Sequence, residues 1–288
     1  MHTLLADAKK RKYAISAPNV FNRETIEAAL LAGKELRSPV ILDVAGVHGI
    51  YECANIARYY EKRYPEVPAA LNLDHGGDYE TIISAIHAGF TSVMVDRSTC
   101  SYEQNVKEVQ EIVKIAHAVG ISVEAELGHV GQGHEYAETR DSGLTRPEEA
   151  VAYVKENGVD CLAVAVGTSH GAYKGTPKID FELLSTLSKE IVVPLVLHGG
   201  SGTGDDNLSK AIQHGIQKIN LNTDLNESGI AYIQTAYDNN LQTKIPGKVN
   251  NEFTTKRMNL QQLIMEGVKG WQAKLMFYMK LFGSTNKW

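Results

Sequence analysis

The chain has 288 residues, with 29 basic against 34 acidic side chains and a formal net charge of −5. That balance argues against nucleic acid or an anionic membrane as partner, and no apolar run approaches the roughly 18 residues of a membrane-spanning helix. Cys53, Cys100 and Cys161 are odd in number, far apart and never in C-x-x-C spacing, which reads as three reduced thiols in a cytoplasmic protein.

Met1 to Lys12 is polar and basic and lacks the apolar stretch of a secretory signal. Tyr13 to Asn19 is the first expected strand. A helix follows over Arg23 to Glu35, with Asn22 as its N-cap and Ile26, Leu30 and Leu31 on its apolar face. Pro39 to Val44 is the second strand, then a helix over Ile50 to Arg63 that ends before Pro65. Ala69 to Asp74 is the third strand, followed by a helix over Tyr79 to Ala88 with Gly89 closing it. Ser92 to Asp96 precedes a long helix over Tyr102 to Val119, and Ser122 to Leu127 is the fifth strand. Gly128 to Thr145 is irregular, glycine-rich and too long for an ordinary strand-to-helix loop, which marks it as a lid or a disordered stretch. Thr145 is the expected N-cap of the next helix, with Pro147 in its first turn. Cys161 to Val166, Val193 to His198 and Lys218 to Asn222 complete eight strands, with helices over Phe181 to Lys189, Asp205 to His214 and from about Asp224. Asn239 to Glu252 is polar and poorly patterned. An amphipathic helix over Leu260 to Leu281 ends the chain.

Eight strands alternating with helices, with no break in composition, imply parallel strands joined by crossover helices. At this length the pattern predicts an α/β protein with a single (β/α)8 TIM barrel domain over residues 1–288, carrying a C-terminal helical extension.

Three of the strands end alike. Ala69 to Leu73 runs into Asp74-His75-Gly76-Gly77. Cys161 to Val166 runs into Gly167-Thr168-Ser169-His170-Gly171, and Leu195 to Leu197 into His198-Gly199-Gly200-Ser201. The C-terminal ends of barrel strands form the active face, and this register gathers Asp74, His75, Asp96, Glu126, His170, His198 and Asn220 there. A lone histidine is more often a core residue, and His87 and His117 fall within helix patterns. Three histidines at equivalent strand ends, each followed by glycine, point instead to a catalytic zinc with an open position. The Gly199–Gly202 turn and the Asn220-Leu221-Asn222-Thr223 stretch end the seventh and eighth strands, the common phosphate site of such barrels. Either turn alone is weak evidence. Together, beside a metal ligand, they suit a phosphorylated ketone whose carbonyl the metal would polarise. A zinc hydrolase using Asp74 as base is the alternative, disfavoured by a phosphate anchor that hydrolysis does not need. A non-catalytic subunit would be expected to have lost its metal ligands.

These residues resemble the class II (zinc-dependent) ketose-bisphosphate aldolases, the fructose- and tagatose-bisphosphate aldolases. The resemblance is carried over nearly the whole chain by Leu73-Asp74-His75-Gly76, Ser92 to Asp96, Val123 to Gly128, Gly167 to Gly171, Leu195 to Gly199, and Lys218 to Thr223. It implies reversible cleavage of a ketose 1,6-bisphosphate to dihydroxyacetone phosphate and an aldehyde, with His75, His170 and His198 holding zinc and Asp74 acting at the C4 hydroxyl. It implies that Gly171, Gly199, Gly200, Ser201, Asn220, Leu221, Asn222 and Thr223 hold dihydroxyacetone phosphate, and that Lys174 lies in a loop serving a monovalent cation (Na+ or K+) and the phosphate. Asp96 and Glu126 would orient the ligands or offer alternative metal contacts, and Asn19 would lie near the substrate. A homodimer or homotetramer is expected, with the final helix as interface. Two departures concern the far end of the substrate. The family lid carries a glutamate for proton transfer at C3, and here His134 or Glu135 takes that place. Arg97 stands where the family has a small residue and is expected to contact the distal acid group, which could be a phosphate or another acid. Lys256 and Arg257 are candidates for the family's arginine nearer the C-terminus.

Overall fold

The computed structural model describes residues 1–133, 141, 143–171, 177–241, 244–246, 253–255 and 258–288. Eight strands form one sheet: β1 (Ile15–Pro18), β2 (Val40–Ala45), β3 (Ala69–Gly76), β4 (Ser92–Val95), β5 (Ser122–Leu127), β6 (Cys161–Val164), β7 (Leu195–Leu197) and β8 (Ile216–Leu221). All pair in parallel, from β2 through β3 and onward to β8 and then β1. The ring closes between β1 and β2, where Asn19 bridges Asp43 and the Val20 amide donates to the Asp43 carbonyl at 2.8 Å. This is the expected (β/α)8 barrel.

Between the strands lie α2 (Arg23–Leu36), α3 (Ile50–Arg63), α4 (Tyr79–Ala88), α5 (Tyr102–Ala118), α6 (Pro147–Asn157), α7 (Phe181–Glu190) and α8 (Asp205–Gln213), and α9 (Thr223–Leu241) and α10 (Leu260–Leu281) end the chain. The caps follow local chemistry. Asn22 forms a capping box with Thr25, and the side chains of Asp78, Ser101 and Asp180 accept amides at the starts of α4, α5 and α7. Gly89 ends α4 in the left-handed conformation. Thr145 does not cap α6, whose N-cap position is Arg146. Its hydroxyl instead donates to the Leu127 carbonyl and accepts the Ala165 amide at 2.8 Å, tying the end of β5 to that of β6.

Two elements depart from expectation. His2–Arg11 forms a helix, α1, in a segment whose composition is mainly polar. Its few apolar groups, with Met1, Leu5 and Ala8 buried, join Ile15, Ala17, Ile41, Ala70, Met94, Cys161, Ala163 and Val196 and close the floor of the barrel. Such a short stripe is too sparse to register as periodicity. The second is an antiparallel pair, β9 (Lys244–Pro246) within the stretch that composition marked as unpatterned and β10 (Phe253–Thr255) just after it.

Above the apolar floor the barrel interior is charged. Asp43, Asn72, Glu124 and Lys218 are all fully buried. Lys218 Nζ lies 3.1 Å from Asp43 Oδ2 and 2.8 Å from Glu124 Oε2, and Asn72 Nδ2 donates to Asp43 Oδ1 at 2.9 Å. Burial opposes charge on Lys218, but the carboxylates of Asp43, Glu124 and Asp74 outweigh it and keep the lysine protonated. Lys218→Met leaves two buried carboxylates without their cation and is expected to destabilise the protein by about 3–5 kcal/mol. Chemical denaturation checks this, and a loss below about 1 kcal/mol would contradict an ion pair of this kind.

Candidate active site

The organising feature of the site is a bulge in β3. Its pairing with β4 moves from Leu73 opposite Val93 to Gly76 opposite Val95, three residues against two. In a regular strand Asp74 and His75 would face opposite sides of the sheet. The extra residue, with His75 at φ 51°, turns both into the barrel mouth. Gly76 is required here because a Cβ would collide with the Met94 carbonyl. A non-glycine residue in the left-handed region is uncommon and costs energy, and such strain clusters at functional positions.

Three imidazoles meet at this mouth. His75 Nε2 lies 3.2 Å from His170 Nε2 and 3.1 Å from His198 Nδ1, and the last two are 3.5 Å apart. The other nitrogen of each ring is occupied. His75 Nδ1 is 2.7 Å from Asp96 Oδ2, His170 Nδ1 is 3.2 Å from the Val130 carbonyl, and His198 Nε2 is 2.9 Å from Glu124 Oε1. These acceptors fix the outer nitrogens as donors and leave the three converging nitrogens to offer lone pairs. A tetrahedral zinc with nitrogens at 2.0–2.1 Å needs them roughly 3.3 Å apart, so this donor set fits such an ion. Burial works against charge on His75, yet Asp74 and Asp96 push it up to about 10. His170 is brought down to about 3 by burial and by the neighbouring histidines, and His198 is lowered for the same reasons. In the metal-free protein the positive charge is a proton on His75, which must leave before its Nε2 can offer a lone pair to a metal.

Asp96 and Glu126 stand behind His75, and the three form a second group whose ligand-type atoms lie within 4.8 Å of one another. Asp96 Oδ1 accepts from Ser98 Oγ at 2.8 Å, and Glu126 Oε1 accepts the Val130 amide at 3.0 Å. Burial, aided by Asp96, pushes the Glu126 carboxyl up to about 8. Glu124 was not anticipated. Period-two alternation places it on the same inner face as Glu126, one pleat deeper, and that spacing was the available signal.

Asp74 is held from both sides, with Asn19 Nδ2 donating to Oδ2 at 2.8 Å and Asn220 Nδ2 donating to Oδ1 at 3.0 Å. Burial resists its ionisation, but His75, His198 and Lys218 outweigh that and hold it well below the usual carboxylate range. A cavity of about 420 Å³ opens over these groups, within the range of small-molecule sites. Asn19, Asp74, the three histidines, Gly171, Gly199, Gly200, Ser201, Asn220, Asn222 and Thr223 all line it. Gly199 and Gly200 pass so close to Ser169 and Asn220 that a Cβ on either would clash. Gln132, Ala45 at the end of β2, and Val47 and His48 in the turn after it also line the cavity and were missed. Nothing in their residue types marks them before the fold brings them to the mouth.

Two expected residues sit elsewhere. Leu221 is fully buried, and its carbonyl accepts the Asn19 amide at 2.9 Å. Arg97 is buried outside this cavity, with Nε donating to Glu108 on α5 and Nη1 to the carbonyls of Gly76, Gly77 and Asp96 at 3.1, 3.0 and 2.8 Å. Its fork clamps the bulge that presents His75. Lys174, His134, Glu135, Lys256 and Arg257 lie outside the described residues.

Residues 1–287 match the family described as fructose-bisphosphate aldolase class-II. The chain is 38% identical to a fructose-bisphosphate aldolase of Thermus caldophilus, covering 99% of this chain and 97% of that protein. It is 37% identical to the fructose-bisphosphate aldolase of Geobacillus stearothermophilus, over 100% of this chain and 97% of the relative. Among solved structures, the YdjI aldolase of Escherichia coli K12 superposes with a TM-score of 0.84 at 30% identity, covering 99% of this chain and 97% of its own.

Proposed function

The chain belongs to the class II fructose-bisphosphate aldolase family, and from its site we propose that it reversibly cleaves fructose 1,6-bisphosphate to dihydroxyacetone phosphate and glyceraldehyde 3-phosphate. It is an aldolase, a lyase acting on a ketose bisphosphate. The observation that carries the aldol reading is the meeting of three imidazole nitrogens, an ionised Asp74, the glycine turn after β7 and the end of β8 on one cavity, and the choice of fructose follows the named relatives.

His75, His170 and His198 would hold the zinc, which when bound supplies Lewis acidity at the ketose carbonyl. Asp74, held ionised between Asn19 and Asn220, takes the proton of the C4 hydroxyl as the C3–C4 bond breaks, and C4 leaves as the aldehyde. Glu135 is our candidate for proton transfer at C3. The turn of Gly199, Gly200 and Ser201, with Asn222 and Thr223 at the start of α9, would receive the phosphate of the dihydroxyacetone half. Gly171 and Lys174 would serve that phosphate together with a monovalent cation. Asp96 fixes His75 from behind through Nδ1, with Glu126 close by. We read residues 1–288 as one barrel domain acting in sugar-phosphate metabolism of the glycolytic type, cytoplasmic, as a homodimer or homotetramer. Among the described residues no helix is long and apolar enough to cross a membrane.

A cleavage panel with zinc supplied and dihydroxyacetone phosphate detected tests the substrate. It contains fructose, tagatose, sorbose and psicose 1,6-bisphosphates and a ketose 1-phosphate with a distal sulfonate. The expected result is a strong preference for the fructose compound. Preference for another ketose would move the substrate, and no dihydroxyacetone phosphate from any of them, with zinc bound, would defeat the proposal.

A further inference from the structure

Asp224 lies in the first turn of α9, directly beside the turns proposed to bind phosphate. A carboxylate in that position is attracted by the helix N-terminus but opposes a phosphate dianion. Its Oδ2 is engaged twice, by the Gly202 amide at 3.2 Å and by the Tyr278 hydroxyl. Ser201 Oγ accepts the amides of Asn222 and Asp224, each at 3.2 Å, so the β7 turn and the start of α9 form one hydrogen-bonded unit.

Tyr278 comes from α10, far away in sequence, and only 2% of its surface is exposed. Its ring packs beside Phe282 at 5.4 Å, with Lys274 Nζ 4.7 Å from its centroid. The helix itself is fixed. Gly229 of α9 meets the backbone of Gly267 on α10 so closely that a Cβ would sit 3.0 Å from its carbonyl oxygen, and Ser228 Oγ donates to the Gly270 carbonyl at 2.9 Å. Leu275, Met279 and Phe282 are buried in the main core. Tyr278 is therefore a fixed donor brought to a carboxylate that the Gly202 amide alone would otherwise hold.

We propose that Tyr278 is a positioning residue for the phosphate subsite. It rests on the phosphate reading above and assigns α10 a part in it. By holding the Asp224 carboxylate, Tyr278 keeps that negative charge engaged and the Gly202 end of the turn in place. Phosphate then meets the turn with the opposing carboxylate tied back.

The test uses the zinc-loaded full-length protein, with inorganic phosphate and dihydroxyacetone phosphate as calorimetric ligands and steady-state cleavage as the kinetic readout. Tyr278→Phe keeps the ring and removes one hydrogen bond to a charged group, so KM and the dihydroxyacetone phosphate Kd are expected to rise about 5- to 10-fold. The value of kcat should stay within about threefold, a loss of substrate binding and not of the chemical step. Adding Asp224→Asn removes the released charge and is expected to restore most of the affinity. Unchanged KM and Kd in Tyr278→Phe would overturn the proposal, as would a double variant as weak as the single one, since packing alone would then explain the loss. Wild-type protein that binds neither ligand would overturn the phosphate reading itself and this inference with it.

Discussion

Replacing His170 by alanine is expected to remove zinc binding and cleavage together while the barrel stays folded. Of the three imidazoles, this one can be removed with least structural consequence. It follows β6 in a loop whose backbone is held independently, with the His170 amide donating to the Gly131 carbonyl at 2.9 Å and its own carbonyl accepting the Gly133 amide at 2.7 Å. The ring contributes only its contact to the Val130 carbonyl and its converging Nε2. His75 is a poorer choice for the test because it also forms the bulge, and His198 because it is fully buried against Glu124. Two imidazoles do not make a zinc site of the usual three-ligand kind. Metal content after desalting should fall from one zinc per chain to near none, cleavage should fall below detection, and the circular dichroism spectrum should be retained. Stripping the wild type with a chelator should give the same loss, reversed by added zinc. Because a proton competes for His75, which its carboxylate neighbours hold up to about 10 in the metal-free protein, zinc affinity should strengthen as pH rises from 6 to 9. An active His170→Ala protein without metal would refute the site.

Asp74→Asn is expected to lower kcat for cleavage by about 100- to 10,000-fold, the usual worth of a general base. The amide matches the shape of the carboxylate but cannot take a proton. One of its ends would also present an N–H toward Asn19 or Asn220, both of which donate to Asp74. Exchange of the C3 proton of dihydroxyacetone phosphate with solvent separates the roles, since that step does not involve the C4 hydroxyl. Exchange within a few-fold of wild type, with cleavage nearly gone, fits Asp74 at C4. Parallel loss of both would place Asp74 at C3 and dismiss Glu135 from that role.

The sequence by itself determined the architecture and singled out the three histidines that converge in the structure. Alternation of apolar strands and capped helices is a local property, repeated eight times, so small errors at each boundary leave the topology unchanged. Three strands that each end in a histidine near glycine are likewise visible without coordinates, because strand ends of a barrel share one face. Tertiary structure decided what surrounds those groups. The bulge at Asp74-His75 depends on how β3 registers against β4, and consecutive residues on one face contradict the period of a strand. Glu124, Asp43 and Lys218 come from three separate strands, and their pairing exists only once the barrel closes. Arg97 looked like a free cation at the mouth, but Glu108 on α5 and three carbonyls reach it first. Tyr278 and Asp224 are 54 positions apart and meet only through the packing of α10 on α9. Charge and hydrogen-bond partners are set by distance in space, and a single sequence records only distance along the chain.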